Sequence, residues 1–257
     1  DIGREQGVVA APRTLDELRR TAEDFKRQKI DLLGISGGDG TNYVTLTGFS
    51  EVYGAEPLPR VAFLPGGTMN TVADSLALPK GRLDSLVKAI LERYSRGEGL
   101  PCLSQGTIEI DGKVAFIIGF GVIPGFLKEY YQTGAPSPWT AAKTLGKGLG
   151  SLLVRGPMIR RMTQTVEAEV ETELGRWDSR AYFSIAASTI QNIGLGFRPF
   201  HRAQERSDAF HLLGIHTSPA GFAVELPRIY RAKPMPPDKC TEALVKRAVL
   251  RGRERFV

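Results

Sequence analysis

Two short stretches constrain this chain more than anything else in it: "SGGDGT" at residues 36–41 and "PGGTMN" at residues 65–70. Each follows an apolar run, "IDLLGIS" before the first and "VAFL" before the second, and each precedes a segment that can be helical. Runs that are apolar on both faces read as buried parallel strands, so both stretches are strand-to-helix turns. Glycine removes the Cβ that would keep a ligand away, and successive N–H groups at such a turn form a concave donor site for phosphate oxygens. The position, outside the carboxyl end of a parallel strand, is where open α/β sheets bind ligands. Neither stretch is a Walker loop or G-x-G-x-x-G. No lysine stands where a Walker loop places one, which leaves phosphate charge to a metal ion or to more remote cations. Two such turns from one sheet can face a single crevice, the arrangement expected for a nucleotide.

The surrounding pattern supports a parallel α/β sheet in the first hundred residues. "GVVAAP" at residues 7–12 is a short strand candidate. A helix is predicted from Thr14, with Thr14 as N-cap, Glu17 three residues later, and Leu15, Leu18, Ala22 and Phe25 on one face. Two more helices are predicted across residues 70–78 and 83–94. Beyond residue 100 the period changes. "TIEIDGKVAFIIG" reads as a hairpin, because Asp111-Gly112 supplies the positive φ angles of a two-residue type I′ turn. Residues 165–188 read as a second hairpin whose first arm alternates strictly, and "AFHLLGIH" at 209–216 as another strand. The expected division is therefore an α/β domain over 1–100 and a mainly-β domain over 101–257.

At 257 residues, with 42% hydrophobic and 24% charged residues, the chain has the composition of a globular protein with a sizeable core. It has no run of about 18 uncharged apolar residues and so no candidate membrane span. Residues 1–7 lack the layout of a signal peptide, which makes the cytoplasm the expected location. The formal net charge of +6 favours an anionic partner. Nucleic acid is disfavoured, since the basic residues are dispersed and no aromatic-rich or zinc-finger motif accompanies them. Cys102 and Cys240 show no metal-ligand spacing. His201, His211 and His216 share no spacing either and read as strand or loop residues rather than ligands.

Taken together, "GGDGT" at 37–41 and "LPGGTMNTVADSL" at 64–76 resemble the catalytic domain of diacylglycerol kinases, lipid kinases related to sphingosine and ceramide kinases and more distantly to NAD kinases. "GFG" at 119–121 and "IGLGFRPF" at 193–200 resemble that family's glycine-bearing strand ends more loosely. The resemblance implies an ATP-binding, Rossmann-like or phosphofructokinase-like α/β domain followed by a β-sandwich domain, of the NAD kinase/diacylglycerol kinase type. It implies ATP and Mg2+ as cofactors and γ-phosphoryl transfer to the hydroxyl of a membrane lipid, most simply diacylglycerol, by an enzyme peripheral to the membrane; a homodimer is the assembly allowed for. Carried onto this chain, Gly37, Gly38, Gly40 and Thr41 would cradle the phosphates, and Gly67, Thr68 and Asn70 would line the opposite wall. Asp39 would hold Mg2+, directly or through water, or orient the acceptor hydroxyl, with helix capping as its structural alternative. Asp39→Asn is accordingly expected to lose turnover with folding intact.

Several positions depart from the family pattern. Thr71 follows Asn70 where an aspartate is usual, and Asn42-Tyr43-Val44 stands where an Asn-Glu pair often occurs. Asp208 resembles an acidic turn associated with a structural Mg2+, but Ala209 and His211 replace the expected glycine and aspartate. The family's Asp-Gly-Glu does not occur, and position 1 is not methionine, so trimming at both ends is expected. An NAD kinase-type enzyme and a non-catalytic nucleotide- or lipid-binding regulator are the alternative readings. Residues 139–155, with Trp and Leu beside Lys and Arg, read as an amphipathic helix suited either to a lipid surface or to packing on the β domain.

Overall fold

A computed structural model describes residues 7–67, 70–121, 165–178, 181–194 and 196–252. The predicted helix at 139–155 lies outside the described residues. The chain divides into two compact units, one formed by 1–104 with 109–115 and the other by 105–108 with 116–257.

The first unit opens with helix α1, Leu15–Gln28. Thr14 caps it as expected: its hydroxyl accepts from the Glu17 N–H at 3.2 Å, and the Glu17 carboxylate reaches back to the Arg13 N–H at 2.6 Å. Strand β1, Leu32–Gly37, leads into helix α2, Asp39–Tyr53, and strand β2, Arg60–Pro65, into the short helix α3, Thr71–Ser75. β1 and β2 pair in parallel, Leu32 opposite Arg60 through Gly37 opposite Pro65. Helix α4 spans Leu83–Ser95. Residues 7–12 are a correction: no strand forms there, and Val8 and Val9 are exposed. The β-branched pair has the propensity, but no strand among the described residues completes a ladder with it.

α1 and α2 pack closely. A Cβ on Gly48 would lie 2.9 Å from Leu18 Cδ2, and Phe25 meets Phe49 edge to face at 6.1 Å. Lys26 closes the carboxyl end of α2 by donating to Val52 O and Tyr53 O at 3.2 and 3.4 Å. The predicted hairpin is present over its turn, with strand β3, Ile108–Ile110, and strand β4, Lys113–Ala115, joined by Asp111 (φ 49°) and Gly112 (φ 73°), but its second arm ends there, since Ile117–Gly121 pairs in another sheet. β4 is bound to α2 through Thr47, whose hydroxyl accepts from the Val114 N–H at 3.1 Å and donates to Val114 O at 3.4 Å.

The second unit holds two sheets. One has the order β11-β10-β9-β5, from Cys240–Val245, Phe210–Ile215, Ser184–Ser188 and Ile117–Gly121. The other joins β12, Ala248–Gly252, to β6, Val166–Thr172, and β7, Gly175–Arg176, with β8, Ala181–Tyr182, also paired to β6. The second hairpin is thus only partly as predicted. β7 and β8 return along β6, but the chain then changes sheet, so that Ser184–Ser188 pairs with β10 and β5.

Burial explains the two sheets' different sequences. β6 alternates buried and exposed residues, as a strand with one solvated face does. β9, "SIAAS", is buried at every position, and its two serines satisfy their hydroxyls on the carbonyls of Phe120 and Phe116. On one face of the β11-β10-β9-β5 sheet a Cβ on Gly214 would collide with Trp177 and Tyr182. The other face packs Ala186, Leu213, Ile215 and Cys240 against Phe200, Phe222, Leu226 and Ile229, the last three from helix α5, Pro219–Tyr230, which Ser218 caps.

Ile185, on central β9, is among the fully buried side chains of this unit. Ile185→Ala is expected to lower unfolding free energy by about 2–5 kcal/mol, whereas Val249→Ala on the half-exposed edge should stay within about 0.5 kcal/mol. Urea denaturation of the two variants against the parent measures the difference.

Candidate active site

The two glycine turns lie side by side because their strands do. Gly37 is opposite Pro65 in the ladder, and the next residue along continues it, the Gly66 N–H donating to Gly37 O at 3.0 Å. One residue further the backbones almost touch: a Cβ on Gly67 would stand 2.3 Å from Gly38 Cα, and one on Gly38 would stand 3.0 Å from Gly67 Cα. No side chain fits at Gly67 without separating the turns. Gly37 is covered by Thr41, whose Oγ1 would be 2.4 Å from a Cβ there. Gly40 has open space where its Cβ would be.

α2 begins at this contact. Its N-cap is Gly38, with no side-chain hydrogen bond to the helix end. The first N–H groups of a helix have no partner within it, and those of Asp39, Gly40 and Thr41 occupy that position. Together with the positive end of the helix dipole they form an anion-accepting surface.

Asp39 does not cap its own helix. Its Oδ2 accepts from the Thr71 N–H at 2.8 Å and its Oδ1 from the Val72 N–H at 3.0 Å, so the carboxylate closes the start of α3, 32 residues away. Each oxygen keeps one further lone pair for another partner. Asn70 is also engaged locally, accepting from the Gly67 N–H at 2.9 Å and donating to Gly67 O at 2.7 Å while holding a left-handed φ of 47°, a conformation asparagine tolerates. Thr68 lies outside the described residues. The structure thus brings Gly37, Gly38, Asp39, Gly40, Thr41, Gly67 and Asn70 into one locus.

One residue at this locus stood in the sequence only as part of a departure from the family pattern. Asn42 is buried in the first turn of α2, with its backbone N–H on Gly38 O and its side-chain Oδ1 without a partner. A buried orphan acceptor beside a phosphate-type turn is a polar group in reserve, and only its burial reveals it. Asp208, in the second unit, is exposed and already neutralised: Arg206 approaches at 2.9 Å and Lys246 at 2.6 Å. Their hydrogen bonds hold its carboxyl down at about 2. Burial pushes the Cys240 thiol up to about 12, so it is an inert core residue.

The second unit also assembles a group that sequence spacing did not reveal. His201, His211 and Glu242 come together from a turn and two strands, their ligand atoms all within 4.8 Å of one another.

Residues 5–98 match the family model described as the diacylglycerol kinase catalytic domain. A comparison with curated proteins finds no match. Three solved structures, all from Bacillus anthracis str. Sterne, share the fold. Two are provisionally named diacylglycerol kinases. One superposes with a TM-score of 0.69 at 14% identity, over 96% of this chain and 75% of its own. The other has a TM-score of 0.66 at 13% identity, over 98% and 77%. The third, named a diacylglycerol kinase, has a TM-score of 0.62 at 13% identity, over 96% and 74%. Residues 5–98, which carry both glycine turns, thus match the model of the family that those turns resemble, and the solved structures share the fold of the chain.

Proposed function

We propose that the protein is an ATP-dependent lipid kinase that transfers the γ-phosphoryl group to the hydroxyl of a membrane lipid, most simply diacylglycerol. The observation that carries this reading is the backbone contact of Gly38 with Gly67 beside the uncapped start of α2, inside the segment that matches the family model.

The locus fits nucleotide phosphates. The N–H groups of Asp39, Gly40 and Thr41 supply donors, and the space beside Gly40 allows close approach. Phosphoryl transfer asks a protein mainly for positioning and charge neutralisation, and the pair of turns supplies the positioning. Magnesium supplies charge neutralisation of the phosphates when bound. Asp39 is the residue of this locus that would hold it, through water, using the lone pairs that Thr71 and Val72 leave free. Asn70 positions rather than contacts, since its amide fixes Gly67. The net charge of +6 suits an acidic membrane surface, and no helix among the described residues is long and apolar enough to cross a membrane.

With labelled ATP and Mg2+, label is expected on diacylglycerol in mixed micelles, in a panel that includes sphingoid bases, ceramide and NAD. Transfer to NAD alone overturns the lipid reading, and nucleotide binding without transfer to any acceptor favours a regulator. Glycine substitutions separate contact from architecture. Gly40→Ala is expected to leave the unfolding midpoint unchanged or slightly raised, by under about 1 kcal/mol, yet to weaken MgATP binding by calorimetry at least about tenfold. Gly67→Ala is expected to lower both.

The geometry also changes what Asp39→Asn should do. An amide can accept only one of the two N–H groups now bound, so turnover should fall by about a hundredfold or more together with a stability loss of about 1 kcal/mol, instead of with folding fully intact. Turnover equal to the parent would remove Asp39 from the mechanism.

A further inference from the structure

The group formed by His201, His211 and Glu242 belongs to no part of the phosphate locus. His211, on β10, is completely buried, and neither of its ring nitrogens has a hydrogen-bond partner. A buried imidazole with both nitrogens unsatisfied is costly unless something outside the protein's own inventory completes it. Its Nε2 stands 3.5 Å from Glu242 Oε2, without hydrogen-bond geometry, and His201 Nε2 stands 3.6 Å from Glu242 Oε1.

Strand register accounts for the convergence. Glu242 on β11 is opposite Leu213, and His211 is two residues before Leu213 on β10, so His211 and Glu242 share one face of the sheet. That face is the one α5 covers. His201 reaches the same place from the turn after Phe200, its ring 5.0 Å from that of His211. Arg202, the neighbouring cation, is engaged with Glu205 at 3.1 Å.

We infer that His201, His211 and Glu242 form a binding site for a divalent transition-metal ion of the zinc type. Two imidazoles and one carboxylate are the donor set such an ion takes, with an open fourth position for water. Each imidazole Nε2 stands 3.5 or 3.6 Å from its own oxygen of Glu242, and one ligand atom from each residue lies within 4.8 Å of the others, a spread that an ion with bonds of about 2 Å could draw together. Side-chain exposures of 17% for His201 and 26% for Glu242 leave an entry path from solvent. Imidazole ligands discriminate against Mg2+, which prefers oxygen, so this site would not compete for the ion that accompanies ATP. With all three ligands on one sheet face and its adjoining turn, its role is to pin the turn at 201–205 to the sheet. It stands independently of the kinase reading.

The test uses the untagged chain with Cys102→Ser, stripped with chelator and titrated with Zn2+ and Co2+. One equivalent of either ion is expected, with the visible d–d absorption of a low-coordinate cobalt centre and a Zn2+-dependent rise in melting temperature. His201→Ala and Glu242→Gln, both at partly exposed positions, should each weaken Co2+ binding more than about tenfold and abolish the thermal shift. His216→Ala, whose ring meets Thr241 instead, should leave both unchanged. The proposal is overturned if the parent binds neither ion, or if His201→Ala and Glu242→Gln retain the parent spectrum and affinity.

Discussion

The approach of Gly38 to Gly67 fixes the geometry of the first unit's functional end. Two adjacent parallel strands bring their following turns near each other, but the distance of closest approach is set by side chains, and here there are none. The gap is then closed by three kinds of bond: Gly66 N–H to Gly37 O, the Asn70 amide to both polar groups of Gly67, and the Asp39 carboxylate to the N–H groups of Thr71 and Val72. The polar side chains one would first assign to a ligand are turned inward to hold the scaffold. What remains outward is backbone, the N–H groups at the start of α2. Backbone donors need no rotamer to be frozen, so little ordering entropy would oppose the phosphate binding we propose there.

The second unit solves a different problem. Its β11-β10-β9-β5 sheet is covered on both faces, which requires small residues where rings press in, as at Gly214, and satisfied hydroxyls where serines are buried, as at Ser184 and Ser188. Thr189, just past β9, departs from that rule with its hydroxyl, and His211 with both ring nitrogens. A fully apolar residue there would avoid the desolvation of two ring nitrogens, and the position of Glu242 and His201 beside it is what makes the histidine intelligible.

Legibility in the sequence followed the range of the interaction. The capping of α1 by Thr14, the Asp111-Gly112 turn and the alternation of β6 depend on residues a few positions apart, and all three were predicted. The glycine turns were legible because their chemistry is local, and their proximity because parallel neighbours share an end. The Asp39 bonds to Thr71 and Val72 were not, since capping is ordinarily a matter of the residue's own helix. Residues 7–12 show the converse error, where local propensity for a strand was present and the partner was missing. The sheet change after Tyr182 was hidden because a continuous β-prone run does not reveal where it exchanges one set of neighbours for another. The His201, His211 and Glu242 group has no periodic signature, as its members come from three elements and meet only through register.

The hairpin of β3 and β4 has a consequence for inheritance. The chain leaves the first compact unit after residue 104, returns to it for 109–115, and leaves again. The returning piece is bonded to α2 in both directions through Thr47 and Val114. No single recombination breakpoint can therefore transplant the first unit whole: a cut at 104 strips α2 of its strand partner, and a cut at 115 carries along residues that belong to the β-rich unit. The first unit is thus discontinuous in sequence, and a clean exchange of it needs more than one junction.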